Sequence, residues 1–143
     1  MKFIAVLASL FASAYAQGIT IGSPTTGSTI STGDVVVEVV RPDSLTGSTE
    51  VAIVISIEPC NADGTCIDPA ERLGTTLYNG PYNPQFPTTP TPLDQPEQNF
   101  TVSIPDSLAG QKALLSVVHL SLVGAGPFPL FEIVNATVNV VAN

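Results

Sequence analysis

Basic side chains are scarce in this sequence. Four lysines and arginines stand against twelve aspartates and glutamates, which gives a formal net charge of −8 at pH 7. A surface of this charge repels nucleic-acid phosphates and anionic lipid headgroups. We therefore expect no nucleic-acid binding and no attraction to membrane surfaces. A locally basic partner is permitted by the charge, but it is not implied by it.

Tryptophan is absent, and histidine occurs once, at His119. Zinc sites need three or four suitable ligands, and with the two cysteines paired the sequence contains no such set. We therefore expect neither a metal nor a cofactor. A lone histidine in a strand is most often a packed or surface side chain, and we interpret His119 in this way.

Motifs for catalysis are missing as well. The sequence contains no Gly-x-Ser-x-Gly motif, and a Ser–His–acid arrangement would depend on His119 alone. A carboxylate pair for glycoside hydrolysis needs only two acids at the right separation, so composition leaves that chemistry open. Most of the twelve acids nevertheless fall in turns or on the polar faces of strands, as solvated charges do. We therefore expect a protein without enzyme activity.

Long apolar runs are confined to the start of the chain. A basic start is followed by the apolar run 3–14 and by Ala14-Tyr15-Ala16, whose small residues are those that a signal peptidase reads. The run is shorter than the roughly 20 residues that cross a bilayer. We expect residues 1–16 to be a cleaved signal peptide and the protein to be secreted. The last residues, 136–143, interleave polar side chains, so we expect no lipid anchor.

The two cysteines, Cys60 and Cys66, predict a disulfide. Their number is even and an exported chain meets an oxidising compartment. Asp63-Gly64 between them favours a tight reversal that brings the two Cα atoms within bonding range. A redox site would need a closer spacing and cationic surroundings, whereas acidic residues flank these thiols. We therefore interpret the pair as a structural staple of a hairpin.

Apolar and polar residues alternate along most of the chain after residue 16, and helical periodicity is absent. In segment 34–41, Val35, Val37 and Val39 share one side of a strand. Segment 51–58 repeats the pattern, with Val51 and three isoleucines on one side and Ser56 and Glu58 on the other. Segments 100–104 and 134–140 alternate in the same way.

Segment 112–123 is apolar on both sides, as expected for a central strand whose second face is at least partly covered. Shorter segments at 19–22 and 73–79 bring the number of strands to about seven. The pattern predicts an all-β fold, an immunoglobulin-like two-layer β-sandwich, as a single domain over residues 17–143.

A proline-rich loop interrupts this pattern at residues 81–97 and contains six of the thirteen prolines. Proline is excluded from sheet interiors, so this segment is predicted to run extended over the surface. An irregular connection of this length is often functional. The alternative is a stiff crossover whose threonines accept sugars.

Two sequons, Asn99-Phe-Thr101 and Asn135-Ala-Thr137, satisfy the rule for N-linked glycosylation. Both asparagines fall on the polar side of their predicted strands, where a bulky glycan fits. We therefore predict that Asn99, Asn135 or both carry a glycan.

Three blocks of the sequence resemble the fungal effector family called necrosis-inducing secreted protein one. The blocks are LGTTLYNGPYNPQF (73–86), QNFTVSIPDSLAGQKALLSVVHLSLVGAGPFP (98–129) and VNATVNV (134–140). The likeness covers roughly residues 50–141 and weakens toward the N-terminus. The Cys60–Cys66 hairpin and the residues that follow it look like an elaboration of the family pattern.

The resemblance implies a small secreted fungal protein without catalysis. It implies that the protein suppresses plant pattern-triggered immunity by binding immune receptor-associated kinases and reducing their activity. It also implies that some members provoke cell death in plant tissue. Binding the cytoplasmic domain of a kinase requires delivery into the host cell, and the sequence contains no translocation signal that we recognise.

Four residues of the first block form our candidate for a partner-binding patch: Tyr78, Tyr82, Asn83 and Phe86. Aromatic anchors beside a stiff loop lose little entropy when a partner binds. The competing interpretation is that Tyr78 and Phe86 close one end of the sandwich and only Tyr82 is free. We expect a monomer with a protein partner.

Two functions other than kinase binding are also consistent with the sequence. An extracellular carbohydrate- or cell-wall-binding module is suggested by secretion, a β-sandwich and clustered aromatics, although tryptophan is absent. A structural protein of the fungal wall is the other, and the missing anchor argues against it.

Overall fold

The computed structural model describes residues 18–143, so the predicted signal peptide lies outside the described residues. Eight strands and one short 3-10 helix make up the regular structure of this part of the chain. The strands are β1 (Thr20–Ser23), β2 (Ser28–Ser31), β3 (Gly33–Val40), β4 (Ser48–Pro59), β5 (Thr75–Gly80), β6 (Glu97–Ile104), β7 (Lys112–Val123) and β8 (Phe128–Val141); the 3-10 helix spans Asp106–Leu108.

Within residues 18–143, no helix has the length and hydropathy that a membrane span requires.

The strands form two sheets. One has the order β1-β3-β6, and the other has the order β2-β8-β7-β4-β5. Neighbouring strands are antiparallel, except that β2 runs parallel to β8. This is the predicted immunoglobulin-like two-layer sandwich, with eight strands where about seven were expected. The unpredicted strand is β2, whose sequence STIS has one apolar residue and therefore no alternation to read.

The inner faces of the two sheets build the core. It is lined by alternate residues of β3, β4, β6, β7 and β8, most of them without any exposed surface, and the largest aliphatic side chains among the most deeply buried are Ile53, Ile55, Ile57, Ile104 and Leu115. Burying each valine, leucine or isoleucine side chain contributes about 1.5–3 kcal/mol before conformational entropy is counted. The predicted inward faces of β3, β6 and the second half of β8 are confirmed.

The prediction that Val51 shares the inward face of the three isoleucines is wrong, because β4 contains a bulge. Glu50 pairs with Ser121 and Ala52 pairs with Leu120, so Val51 is the extra residue between them. Val51 is 45% exposed. The bulge also changes the parity of the residues that precede it. As a result Glu50 faces the inside of the sandwich, where the unbroken alternation would have placed Val51.

The predicted polar face of β4 is wrong at two positions. Ser56 and Glu58 are both buried, because the segment after the disulfide folds back over this outer face. Gly74 lies so close that an added Cβ would stand 2.5 Å from the carbonyl oxygen of Ile57, and Arg72 forms an ion pair with Glu58. Leu114 and Ser116 of β7 are buried as well, which confirms the predicted partial cover of segment 112–123.

Cys60 and Cys66 form the predicted disulfide, at the end of β4. Two backbone hydrogen bonds close the turn between them, from Asn61 N–H to Thr65 O and from Gly64 N–H to Asn61 O. Cys60 N–H also donates to Lys112 O of β7 at 2.9 Å. The staple therefore ties a surface turn to the edge of the sandwich without crossing its core.

Replacing both cysteines with serine is expected to lower the free energy of unfolding by about 2.4 kcal/mol, the loop-entropy value for a ring of this size. Urea denaturation followed by circular dichroism measures the change. The far-ultraviolet spectrum should stay that of the wild type, because the hairpin lies outside the core. Loss of cooperative unfolding in the double variant would show that the staple supports the whole sandwich.

Candidate functional site

The predicted partner-binding patch is divided between the core and the surface. Tyr82 is 4% exposed, and its hydroxyl donates to the carbonyl oxygen of Val39 at 3.2 Å. Its ring lies 6.3 Å from the ring of Phe100 and meets the ring of His119 edge-on at 5.5 Å. The interpretation that only Tyr82 is free is therefore wrong, because this ring fills the space between the two sheets.

The other three members of the patch differ in exposure. Tyr78 is half-buried, its ring packs at a tilt against Phe100 with 4.7 Å between the ring centres, and its hydroxyl donates to Pro81 O. Asn83 is exposed, and Phe86 is 48% exposed. The structure thus leaves Asn83 and Phe86 as the exposed members of the patch, and partner binding by them stays a prediction.

The loop that carries these residues is irregular, as predicted, apart from one isolated bridge between Gln85 and Glu97. It is fastened to the end of the three-stranded sheet at several points. Pro96 O accepts from Arg41 N–H at 2.8 Å, and the side chain of Gln98 accepts from Asn83 N–H at 2.7 Å. Because the loop is held in this way, its exposed side chains lose little conformational entropy when a partner binds.

A buried polar cluster lies directly behind Tyr82. We call it the His119 cluster; it consists of Arg41, Glu50, His119 and Glu132. The ring of His119 has no exposed surface. Its Nδ1 atom lies 2.8 Å from Oε1 of Glu132, and its Nε2 atom contacts Oε2 of Glu50. The ring is therefore held between two carboxylates from two different strands.

The strand register explains this arrangement. Glu132 of β8 stands directly opposite His119 of β7. Glu50 faces inward because of the bulge at Val51. Arg41 follows the last residue of β3 and reaches Glu50 from the other sheet, with Nε 3.2 Å from Oε1. The cluster therefore links both sheets at one end of the sandwich.

A protonated ring satisfies this geometry when both glutamates are ionised. A carboxylate accepts hydrogen bonds, so both imidazole nitrogens must carry a proton to bond to both glutamates. Burial disfavours the charged ring, but the hydrogen bonds to Glu132 and Glu50 outweigh burial and raise the pKa of His119 above its usual 6.5. With both glutamates ionised, the two cations and two anions of the cluster balance, which lowers the cost of burying them.

Glu50 is the most connected member of the cluster. Besides His119, it accepts from Arg41 Nε and from the hydroxyl of Ser48 at 2.9 Å. Burial raises the pKa of the Glu50 carboxyl, but the hydrogen bonds from His119, Ser48 and Arg41 together hold it below its usual 4.5. Glu50 is therefore a carboxylate at neutral pH.

Chemically, the cluster is closed. Both nitrogens of His119 are engaged and the ring is sealed by Tyr82, so the imidazole is not presented to a substrate in this conformation. In the described part of the chain, no group of three or more histidine, cysteine and acidic side chains is arranged to hold a metal ion.

A cleft of about 400 Å³ opens beside the cluster. We call it the loop cleft; it runs between the segment 41–48 and the start of the proline-rich loop, and Arg41, Glu50, Tyr82 and Asn83 line it. The N–H of Asp43 donates to the side chain of Gln95 at 2.6 Å and joins the segment 41–48 to the far end of the proline-rich loop. Two members of the His119 cluster, Arg41 and Glu50, therefore line the same cleft as Asn83.

Sequence reasoning missed the His119 cluster. The parity of segment 112–123 places His119 on the same side as Leu115 and Val117, and this was the available signal that the ring faces the core. The alternation of residues does not predict which side chains contact His119. Glu50 reaches the inner face only through a bulge, and the pairing of Glu132 with His119 is a matter of register.

Both predicted glycosylation sites, Asn99 and Asn135, are exposed in their strands. Asn99 lies on β6 of the three-stranded sheet, and Asn135 lies on β8 of the five-stranded sheet. Glycans there would stand on opposite outer faces of the sandwich, and occupancy of the two sites stays a prediction.

Comparison with protein families gives one finding. The family model described as the Nis1 family matches residues 12–139, which is nearly the whole chain. The match agrees with the resemblance noted in the three sequence blocks. No curated protein matches this sequence.

Proposed function

This chain belongs to the Nis1 family, and from that membership we propose that it acts by binding plant immune receptor-associated kinases and lowering their activity. The family makes it a small fungal effector-like protein. Suppression of pattern-triggered immunity, and cell death in host tissue, are the consequences that the proposal assigns to it. It acts without catalysis, and its partner is a protein.

The observation that carries this proposal is the family match over residues 12–139. The disulfide between Cys60 and Cys66 is compatible with a secreted protein. The enclosure of His119 also favours binding over catalysis, because the one imidazole of the chain is occupied by two carboxylates.

The contact surface that we propose consists of exposed apolar side chains on the segment 41–48 and on the proline-rich loop, the two segments beside the loop cleft. Phe86 and Leu93 project from the proline-rich loop, and Leu45 projects from the opposite wall. All three are exposed apolar side chains on segments that the bond between Asp43 and Gln95 joins. Exposed apolar groups beside a polar cleft are suited to a protein partner. Tyr82 is buried in the core at the start of the proline-rich loop, so in this proposal it supports the loop and does not touch the partner.

The test is capture of kinases from plant extract by the purified protein, together with the immune oxidative burst in leaves that express it with and without residues 1–16. We expect kinase capture and a reduced burst. The variant Phe86→Ala with Leu93→Ala should lose capture while its melting temperature stays unchanged. Phe131→Ala is the matched control, since Phe131 is 64% exposed on the outer face of the five-stranded sheet.

Failure to capture a kinase, with an unaltered burst, would reject the proposal. Retention of the protein on chitin or glucan under the same conditions would instead support the carbohydrate- or cell-wall-binding alternative.

A further inference from the structure

The carboxylate of Glu132 fastens two parts of the sandwich through one oxygen. Its Oε1 atom lies 2.8 Å from Nδ1 of His119 and accepts from the backbone N–H of Ile19 at 2.9 Å. Ile19 directly precedes β1 of the three-stranded sheet, whereas Glu132 belongs to β8 of the five-stranded sheet. Glu132 thereby holds the start of β1 against the opposite sheet.

The packing around this contact is tight. A Cβ added to Gly18 would stand 2.6 Å from Oε2 of Glu132, so the backbone of Gly18 lies directly against the carboxylate. Gly18 and the backbone N–H of Ile19 therefore both lie against the Glu132 carboxylate, while the Ile19 side chain is buried in the core.

The charge of His119 decides whether Glu132 keeps that position. The groups that face the ring are Glu50 from β4, Glu132 from β8 and Tyr82 from the proline-rich loop, with Arg41 acting through Glu50. Loss of one proton from the ring leaves a buried net charge of about −1 and points a nitrogen lone pair at a carboxylate oxygen.

The loss of the ring proton affects the two carboxylates, Glu50 and Glu132, differently. Glu50 keeps the guanidinium of Arg41 and the hydroxyl of Ser48 as donors. Glu132 keeps the N–H of Ile19, its one other hydrogen-bond donor among the residues that the structure describes. Its side chain is also the more exposed, at 20% against 13% for Glu50. Glu132 is therefore the carboxylate that turns toward water.

We propose that Glu132 and His119 form a proton-controlled clasp on the start of β1. With the ring protonated, Glu132 holds Gly18 and Ile19 on the sandwich; with the ring neutral, Glu132 turns outward and the start of β1 is released. This inference goes beyond kinase binding and does not depend on it.

The direction of the pH dependence follows from the bonds to the ring. Burial favours the neutral ring, but the hydrogen bonds to Glu132 and Glu50 outweigh it and raise the pKa of His119 above 6.5. A group with a raised pKa stabilises the closed state fully below its ordinary pKa and loses that contribution as pH rises through the raised value. The clasp is therefore closed below about pH 6.5 and opens as pH rises through the raised pKa of His119.

The experiment is amide hydrogen exchange of the purified protein, resolved at Ile19 by NMR, between pH 5.5 and 9 and corrected for intrinsic exchange. We expect protection of the Ile19 amide to fall by about tenfold for each pH unit between the open-state and closed-state pKa of His119. Amides of Ile55 and Val117 in the core should show no matching loss. Glu132→Gln should remove the pH dependence at Ile19, and the exposed control Glu71→Gln should retain it.

Constant protection of Ile19 across this range in the wild type would overturn the clasp, and so would a wild-type pH profile in Glu132→Gln. If Glu132→Gln does not fold, the wild-type profile decides alone. No host protein enters the experiment, so its failure is separate from a failure of kinase binding.

Discussion

Replacing Tyr82 with alanine is expected to lower the free energy of unfolding by about 3–5 kcal/mol, the range for deletion of a buried aromatic side chain. The ring is enclosed between Phe100 and His119, so its loss leaves a cavity that the sheets cannot fill. The hydroxyl bond to Val39 O is lost with it. Urea denaturation at neutral pH measures the change.

Two control variants test whether the loss of stability in Tyr82→Ala comes from lost packing of the ring. Tyr82→Phe keeps the ring and should cost only about 1 kcal/mol, the net value of one hydrogen bond. Phe86→Ala removes an aromatic ring four residues away that is 48% exposed, and it should change stability by less than about 1 kcal/mol. Equal effects of Tyr82→Ala and Phe86→Ala would contradict the placement of Tyr82 in the core.

Replacing Glu50 with alanine is the second large effect that we expect, again a loss of about 3–5 kcal/mol at neutral pH. The substitution removes the carboxylate that pairs with the buried Arg41 and leaves protonated His119 with Glu132. Removing one member of a buried ion pair is costly because the remaining charge stays without compensation. The exposed control Glu71→Ala should change stability by about 0.5 kcal/mol or less.

The loss at Glu50 depends on pH. Hydrogen bonds from His119, Ser48 and Arg41 hold the pKa of Glu50 below 4.5 against the opposing effect of burial. A group with a lowered pKa stabilises the fold above its ordinary pKa, and that contribution disappears as pH falls through the lowered value. The difference between wild type and Glu50→Ala should therefore narrow below pH 4.5. A difference that stays constant from pH 7 to pH 3 would show that Glu50 acts through packing alone.

Much of the fold was readable from the sequence, because period-two alternation marks half-buried strands wherever they are long enough. Segments 34–41, 100–104 and 112–123 coincide closely with β3, β6 and β7. The disulfide was readable too, since Cys60 and Cys66 had no other partner. The start of β8 was missed, because Phe128–Glu132 contains a proline and does not alternate.

The candidate site could be predicted less well from the sequence than the fold, for physical reasons. Register between distant strands is decided by the packing of the whole core, so no local pattern places Glu132 opposite His119. A bulge adds one residue without a reliable sequence mark, and here it turned Glu50 inward in place of Val51. The position of Tyr82 was also not predictable from a local pattern, because this residue lies in a loop and its ring is nevertheless part of the core.

These findings also explain why the aromatics of segment 78–86 have different roles. Tyr78 and Tyr82 both contact Phe100 and contribute to the closure of the sandwich beside the loop cleft. Phe86 projects from the loop that those two rings anchor. One short stretch of sequence thus supplies both the support and an exposed element of the proposed binding surface.

The central claim is that His119 is a protonated structural element that joins two carboxylates behind Tyr82, and not a base that serves a substrate. Nitrogen-15 NMR of the imidazole ring tests it most directly. The account predicts that both ring nitrogens of His119 carry a proton at pH 6.5 and that the ring titrates above that value. A neutral ring at pH 6.5, with one nitrogen unprotonated, would contradict it.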